Sequence, residues 1–474
     1  MPAKVQDRSK IVSDMLSQSE PIRDLIAGAK HMRSRGRTYL PKFTLENEDD
    51  YEERKAGTWL FNGTKKARDD MAGKVFEKPV RLEDQESQLF EWCQNIDLEG
   101  RDLSNFGYDV FRGAIEDGIN FIFVDAPPRE GEITRGEARA RNLRPYMTMV
   151  RLSSVLGWKW ENINNAPTLT QFRLLEDVAD PLRDEFEDET IQQIRVLDLQ
   201  GSRVRVRLYR QESTESAKVG FLLHQEYLTD QSEIQIVPVY TSRTGFMSAT
   251  PPLLDIAELN LAHWRIQSDK ASCLHKSLSP LLLVKGIEMD GGQVVNSAGY
   301  VFHSNADNAA LEWAEISGSG IKAGADELKA LEQQMQWSGL QLIMERSGVS
   351  TATGDMLDEG KSTSKLKQWA DNLKDALEIA LDFMADMGGI SGANTTVQVH
   401  TDFTTLGYVD MPAIKDMHLA GAISRKAYVR EAIRRGILSE DHDADADAEL
   451  IEEESMANIP PISSGDAPDD EAQA

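Results

Sequence analysis

Apolar positions recur at helical spacing through much of the first 125 residues. Ile11–Gln18 and Ile22–Met32 carry the pattern with Pro21 punctuating them, and Tyr51–Met71 and Leu103–Glu116 carry it again. Gly118 closes the last of these. Ile119–Val124 is a short apolar run stopped by Pro127-Pro128, which predicts a strand, and the charged, glycine-interrupted stretch 129–142 predicts a loop. From about 145 to 241 the period changes to two. Tyr146, Thr148 and Val150 alternate with Met147, Met149 and Arg151, and alternation returns at Ile191–Leu199, Arg203–Arg210, Leu222–Leu228 and Ile234–Tyr240. Gly201-Ser202 turns between two of these runs. In Arg203-Val204-Arg205-Val206-Arg207-Leu208 the arginines share one face, so the segment reads as an antiparallel sheet with one wet side.

Pro251-Pro252 then opens a long helix over 252–277, with the stripe Leu254, Ala257, Leu261, Trp264, Ser268, Ala271, ended by Pro280. At 1.5 Å per residue it is about 39 Å long. Strands follow at Leu281–Val284, Tyr300–His303 and Leu311–Ile316, with a turn at Gly291-Gly292. A second long helix runs over Ala325–Glu345, a polar loop over 347–364, and a third helix over Ser364–Met387, whose stripe is Leu366, Trp369, Leu373, Leu377, Ala380, Met384, Met387. A strand at Thr396–Thr401, a helical end and an acidic tail complete the chain. The class is α+β, organised as a mixed body, a helix going out, a small β module and a helix coming back. No internal repeat is visible.

Composition narrows the function. The 474 residues include 40% hydrophobic and 28% charged, enough for a folded protein of about three domains. No apolar run approaches the roughly 20 residues of a membrane span, and the N-terminus lacks an apolar signal stretch, so the protein is expected to stay in the cytoplasm where it is made, with no membrane partner. The two cysteines, Cys93 and Cys273, have no motif around them and read as packed apolar residues. The net charge is −27. The stretch Ser439–Ala474 holds 13 Asp or Glu and no Lys or Arg, so about half the excess stays on the folded body. Tight gripping of duplex DNA needs Lys and Arg against phosphate and is disfavoured here, whereas a surface that DNA slides past is not.

The chain has few candidate chemical motifs. Gly354-Asp355-Met356-Leu357-Asp358-Glu359-Gly360-Lys361-Ser362-Thr363 resembles a phosphate loop, but five residues separate its glycines where four are needed, three of the five are acidic, and no strand leads in. The run Asp441–Glu449 has alternating acids, yet Ala446 or Ala448 stands where a calcium loop needs its turning glycine. The histidines do not pair at metal spacings, and His263 and His275 read as helix-surface or interface residues. Trp264 and Trp369 read as packing. The basic cluster Lys30, Arg33, Arg35, Arg37 faces a choice between phosphate and the acidic run Glu46, Glu48, Asp49, Asp50, and an acid-rich chain favours the second. Neither a cofactor nor a metal is expected.

Several stretches together resemble a bacteriophage portal family, catalogued as a portal-like domain of unknown function. They are Val237-Pro238-Val239-Tyr240-Thr241-Ser242-Arg243-Thr244-Gly245-Phe246 and Pro251-Pro252-Leu253-Leu254-Asp255-Ile256-Ala257-Glu258-Leu259-Asn260-Leu261-Ala262-His263-Trp264. Tyr39-Leu40-Pro41-Lys42, Phe61-Asn62-Gly63-Thr64, Val75–Pro79, Arg144-Pro145-Tyr146, Thr401-Asp402-Phe403 and Gly421-Ala422-Ile423-Ser424 add to it, over about 35 to 440. The motifs are structural, and their order carries the resemblance.

The resemblance implies a portal fold: a mixed α/β wing over 1–251, stem helices over 252–277 and 321–346, a β clip over 278–320, a tunnel loop over 347–364, a returning wing part over 365–411, a helical crown over 412–440 and a tail over 441–474. It implies a non-enzymatic ring of about twelve copies at one capsid vertex. Double-stranded DNA would pass through the ring during packaging and ejection. The terminase large subunit, a head–tail connector or adaptor and the major capsid protein would be partners, and the virion the location. The channel residues would be Ser350, Thr351, Thr353, Asp355, Asp358, Glu359, Lys361 and Lys365. The clip surface would be Lys285, Glu288, Asp290, Asn296, Asn305 and Asp307. Twelve helices about 10 Å wide, side by side, leave a bore of roughly 28 Å, which passes a duplex roughly 20 Å across. The alternatives are an ATP-binding enzyme using Gly360-Lys361-Ser362 and a monomeric protein-binding scaffold.

Overall fold

Ser9 accepts from the Val12 N–H and starts helix α1, Lys10–Ala27. The computed structural model describes residues 4–127, 136–137, 141–180, 186, 190–214, 217–278, 281–285, 310–314, 319–343, 365–401, 403, 411–434, 437–438, 446–447 and 450. Pro21 lies inside α1 instead of dividing it. The lost N–H costs one intrahelical bond, but Ile22 and Leu25 beyond it are fully buried and hold the helix on course. The break falls at Gly28, whose φ of 93° suits glycine, and α2 follows over Ala29–Arg35. The expected helix Tyr51–Met71 is two: α3, Glu48–Gly57, capped by Asn47, and α4, Gly63–Val75, capped by Asn62. Strand β1, Arg81–Leu82, a short α5, Gln88–Cys93, and α6, Leu103–Asp117, come next. Gly118 ends α6 in the left-handed region.

The period-two region forms two sheets, not one. Strands β2, Ile119–Asp125, and β3, Tyr146–Val150, open it; β4, Val155–Ile163, β5, Ala166–Ala179, β6, Thr190–Gln200, β7, Arg203–Thr214, and β8, Ala217–Leu228, follow; β9 is Ile236–Tyr240. The order β3-β2-β9 makes a three-stranded antiparallel sheet, and β4-β5-β6-β7-β8 a five-stranded antiparallel meander. Strand β9 therefore leaves its sequence neighbours to pair with β2, where Pro238 can sit because β9 is an edge. The hairpin β4–β5 was not anticipated. Its two-residue turn, Asn164-Asn165, has φ of 53° and 64°, the mirror-image geometry that matches strand twist. A small hairpin, β10 Arg243–Gly245 with β11 Ser248–Ala249, leads to the long helices.

Helix α7 is Leu254–Leu278, β12 Leu281–Lys285, β13 Ala310–Ala314, α8 Ser319–Ile343, α9 Lys365–Gly388 and β14 Val397–Gln398. Strand β14 pairs with β1, a shorter return strand than 396–401. These elements belong to one compact unit, 1–403. Its core has two main parts, divided by β2. Ile122 and Val124 face the cluster of α4, α6, α7 and α9, built on Phe106, Phe111, Trp264 and Trp369. Ile119, Phe121 and Phe123 face a second cluster with Val12 and Met15 of α1 and Phe172, Val204 and Val206 of the large sheet. A strand buried on both sides must be apolar at nearly every position, as Ile119–Val124 is. A second unit, 404–474, contains α10, Met411–Leu419, and α11, Arg425–Arg434, with the His418 ring stacked on Tyr428 at 5.1 Å.

The strand 300–303, the turn Gly291-Gly292, the polar loop 347–364 and most of the loop 129–142 and of the tail lie outside the described residues. The architecture is mixed α/β, as the pattern indicated. Cys93 is buried as expected, and burial pushes its thiol up to about 12. Cys273 is exposed, because α7 has by then left the body.

Gly118 joins these layers. Its carbonyl accepts from the Thr241 N–H and hydroxyl, and an added Cβ would meet the Thr250 carbonyl oxygen at 2.5 Å. Gly118→Ala should lose roughly 2 kcal/mol or more in denaturant unfolding, from the left-handed backbone plus a clash with immovable main chain.

Candidate functional site

Helix α7 carries an apolar stripe with polar residues set into it. Ile256, Ala257 and Trp264 are buried beside Asn260, His263, Gln267 and Ser268. Asn260 finds its partners in Phe61 and Thr64, where the chain passes from the break after α3 into α4. Asn260 accepts at Oδ1 from the Thr64 N–H and hydroxyl, both at 3.0 Å, and donates from Nδ2 to the Phe61 carbonyl at 2.7 Å. With Asn62 taking the Lys65 N–H, the first turn of α4 is capped partly by its own chain and partly by α7. Gly63 at that turn lies against α8, where a Cβ would meet Met335 Sδ at 2.8 Å. The start of α4 is thus wedged between α7 and α8.

Arg54 of α3 secures the other side. It is buried, it donates to Glu46 at 2.6 and 2.8 Å and to the Pro41 carbonyl at 2.9 Å, and its guanidinium lies over the Phe43 ring at 4.2 Å. It also reaches Ser268 Oγ of α7 at 3.1 Å. These hydrogen bonds hold the Glu46 carboxyl below the usual range. His263 sits between Trp59 and Phe61, with Nε2 3.2 Å from Glu332 of α8 and Nδ1 buried without a partner. Burial pushes its pKa down, against the pull of Glu332. Of the two expected settings, helix surface or interface, His263 takes the second: the linker 58–62 covers this face of α7.

Beyond this seat the two helices leave together. His263 faces Glu332, Gly324 lies against Lys270, Leu281 pairs with Ala314 and Lys285 with Ala310. The numbers of each facing pair add to 594 or 595, so helices and strands form one antiparallel hairpin in a single register. Burial follows the same axis. Leu328, Leu331 and Met335 of α8 are buried beside the seat, while Cys273, Leu274 and His275 of α7 and residues 319, 320, 322 and 323 of α8 are exposed. Each helix has 25 residues, about 38 Å. The result is an arm with a seated base and an open far half.

Helix α9 buries its stripe against β2 and β9, and Asn372 donates to the Tyr240 carbonyl at 3.1 Å. Its other side carries Asp371, Asp375, Glu378, Asp382 and Asp386. Two of these are engaged: Glu378 accepts from the Val397 N–H and Asp382 from the Thr395 hydroxyl. Asp371, Asp375 and Asp386 are exposed.

Of the channel residues, only Lys365 is described, exposed at the first position of α9; Ser350, Thr351, Thr353, Asp355, Asp358, Glu359 and Lys361 lie outside the described residues. Of the clip residues, Lys285 ends β12, and Glu288, Asp290, Asn296, Asn305 and Asp307 lie outside. The basic cluster is split: Arg37 pairs with Glu48 at 2.6 Å at the surface, Arg35 pairs with Glu20 and Asp24, Arg33 donates to the Thr58 carbonyl, and Lys30 is exposed. Sequence reasoning missed Asn260 and Arg54, which seat the arm. The available signal was an asparagine at the helical spacing of Ile256, Ala257 and Trp264. Among the described residues, no group of His, Cys, Asp and Glu could hold a metal ion, and no helix is long and apolar enough to cross a membrane.

Removing Arg54 leaves Glu46 buried and unpaired, so Arg54→Ala should cost about 3–5 kcal/mol in denaturant unfolding, and Arg54→Lys should recover only part. The depressed His263 pKa gives a second expectation. On acidification the unfolded chain takes up this proton first, so stability present above the ordinary histidine pKa is lost as pH falls below about 6.5. Melting temperatures recorded from pH 7.5 to 5 should fall less steeply in His263→Phe than in the wild type.

Residues 252–387, from α7 through α9, match the model of a domain of unknown function (DUF4055). No curated protein matches. The chain is similar to a chain in the neck of an empty GTA particle computed with C6 symmetry, at 11% identity and a TM-score of 0.40, covering 87% of this chain and 99% of that one. It is also similar to one in the neck of a native GTA particle computed with C12 symmetry, at 9% identity and a TM-score of 0.37, covering 84% and 90%.

Proposed function

We propose that the chain is a portal subunit, a non-catalytic structural protein that assembles into a ring around a channel for double-stranded DNA at one vertex of a phage capsid. The observation that carries this reading is the arm. Two helices of about 38 Å, in one register with the strand pair beyond them, are seated at one end only. Outside the seat, α7 and α8 lie chiefly against each other, with His275 of α7 3.8 Å from Glu53 of α3, and Leu274 stands 42% exposed. An isolated helix pair with open flanks gains by lying beside copies of itself, and identical staves repeated around an axis close a barrel. About twelve such staves leave a bore of roughly 28 Å, wide enough for a duplex.

Charge supports passage over grip. The body stays acidic, and Arg33, Arg35 and Arg37 of the cluster that might have met phosphate are engaged by a carbonyl and by carboxylates of the same chain. A surface without accumulated phosphate contacts lets a strand move. In this reading the far end of the arm, with Lys285 at its described edge, receives the terminase large subunit during packaging and a connector afterwards. The residues 347–364 approach the DNA, and the major capsid protein surrounds the ring in the virion.

Electron micrographs of the purified full chain should show rings with a central opening, and Leu274→Asp should shift the particles toward single copies in mass measurements. Single-copy particles at every concentration would remove the ring reading.

A further inference from the structure

The five-stranded sheet ends in two edges that the described chain leaves open. Strand β8 pairs only with β7, and its outer backbone edge has no partner among the described residues. It is also apolar on both faces. Leu222, Leu223 and Leu228 are about half exposed, at 54%, 50% and 55%, and Tyr227 is 38% exposed. Free edges are usually blunted by proline, by inward charge or by brevity. From Phe221 to Leu228 this edge has no proline and one carboxylate, Glu226; its only irregularity is a register shift that leaves His224 unpaired.

The opposite edge, β4, is half closed. The Ser9 N–H donates to the Leu156 carbonyl at 2.7 Å, and Arg8 donates to the Val155 carbonyl at 3.2 Å, so the N-terminal segment covers the start of β4. From Trp158 to Ile163 no such cover exists among the described residues, and Trp160 and Ile163 are exposed at 46% and 39%. Every neighbouring pair in the sheet is antiparallel, so β4 and β8 point the same way. A rotation that carries one copy to the next brings β8 against the β4 of its neighbour as a parallel pair.

Side-chain faces agree with that pairing. Trp160 packs on Phe246, at the side of the sheet that faces Val204, Val206 and the main core. Tyr227 lies opposite Val206 and so belongs to the same side. Lys159 lies opposite Gln171, and Glu226 opposite Arg207, on the other side. With Trp158–Glu161 alongside Gln225–Leu228, Lys159 stands beside Glu226 and Trp160 beside Tyr227. Among the described residues Glu226 pairs with Arg205, at a long 3.4 Å.

We propose that β8 of one copy and the open half of β4 of the next form a parallel edge-to-edge seam that joins the large sheets of neighbouring copies. The occupant of each edge is a second copy of this chain, contributing its other edge; the proposal rests on the ring reading and says where the outer part of the ring is sewn. Pairing β8 with the β8 of a second copy around a two-fold axis would close one edge and leave β4 open, which is why the head-to-tail arrangement is favoured.

The test uses the full chain with Cys273→Ser, since Cys93 is buried. Neighbouring strands lie about 4.8 Å apart, within the span a disulfide bridges. Lys159→Cys together with Glu226→Cys should give, on mild oxidation, a ladder of linked copies on a non-reducing gel, and neither cysteine alone should. Lys159→Glu or Glu226→Lys should each lower the ring fraction several-fold, and the two together should restore it, with circular dichroism unchanged throughout. Wild-type rings with no ladder and no response to either swap would place the seam elsewhere and leave the ring reading standing. A dimer band from Glu226→Cys alone would overturn the proposal in favour of two-fold pairing. Wild-type single copies would overturn both.

Discussion

Helix α7 enters a dry junction with polar side chains and then leaves the body, and the fold has to satisfy those groups before the arm begins. Asn260 does so most completely, with all three of its hydrogen bonds going to Phe61 and Thr64. Arg54 reaches Ser268 from the other side while holding Glu46. The match is incomplete: Trp264 Nε1, Gln267 Oε1 and His263 Nδ1 are buried without partners among the described residues. Each such group costs about 1–3 kcal/mol, set against the burial of the Trp264 ring and the apolar stripe around it. Polar groups placed this way fix one angle and one depth for the helix, because sliding α7 by a turn would leave all of them unpaired.

The long helices, and the strands near 281–284 and 311–316 between them, were legible because their signal is local and repeated. Stripes at steps of three and four run for many turns in α7 and α9, and Pro251-Pro252 marks a boundary. The features that were misread depend on distant partners. Gly57 and Asn62-Gly63 are break signals inside the helical spacing of Tyr51–Met71, and the chain opens at 58–62, where Arg33 holds the Thr58 carbonyl and Asn260 holds Thr64. Pro21 signals a break that packing overrides. The hairpin at Asn164-Asn165 did carry a turn signal and was passed over because its flanking strands alternate imperfectly. Strand β9 looked like one more strand of the large sheet, since alternation says which face is wet and not which neighbour a strand will choose. For the site, the family resemblance drew attention to the polar loop and the clip, whereas the residues that seat the arm are isolated polar positions inside apolar patterns.

Charge has a structure of its own in this molecule. Arg195 is held by Asp125 at 2.8 Å and Glu176 at 3.0 Å between the two sheets, beside a cavity of about 130 Å³ lined by Tyr146, Phe123 and Leu174. Arg207 pairs with Asp198, Arg23 with Asp117, and Arg68 with Glu116. The arginines act as internal fasteners between elements. The carboxylates left over, such as Asp371, Asp375 and Asp386 on α9, face outward. The net charge of −27 therefore reflects how the cations are used as well as how few they are.

The single register shared by α7, β12, β13 and α8 limits how the arm can change length over evolution. A residue inserted in one helix alone would rotate everything beyond it by about 100° and put every later strand pairing out of step. Growth or shortening has to come in matched increments, the same number on the outgoing and returning sides, and in steps near seven, which return each helix to almost the same facing. Reach is therefore a discrete quantity in this architecture, and a relative whose arm differs should differ by whole paired turns.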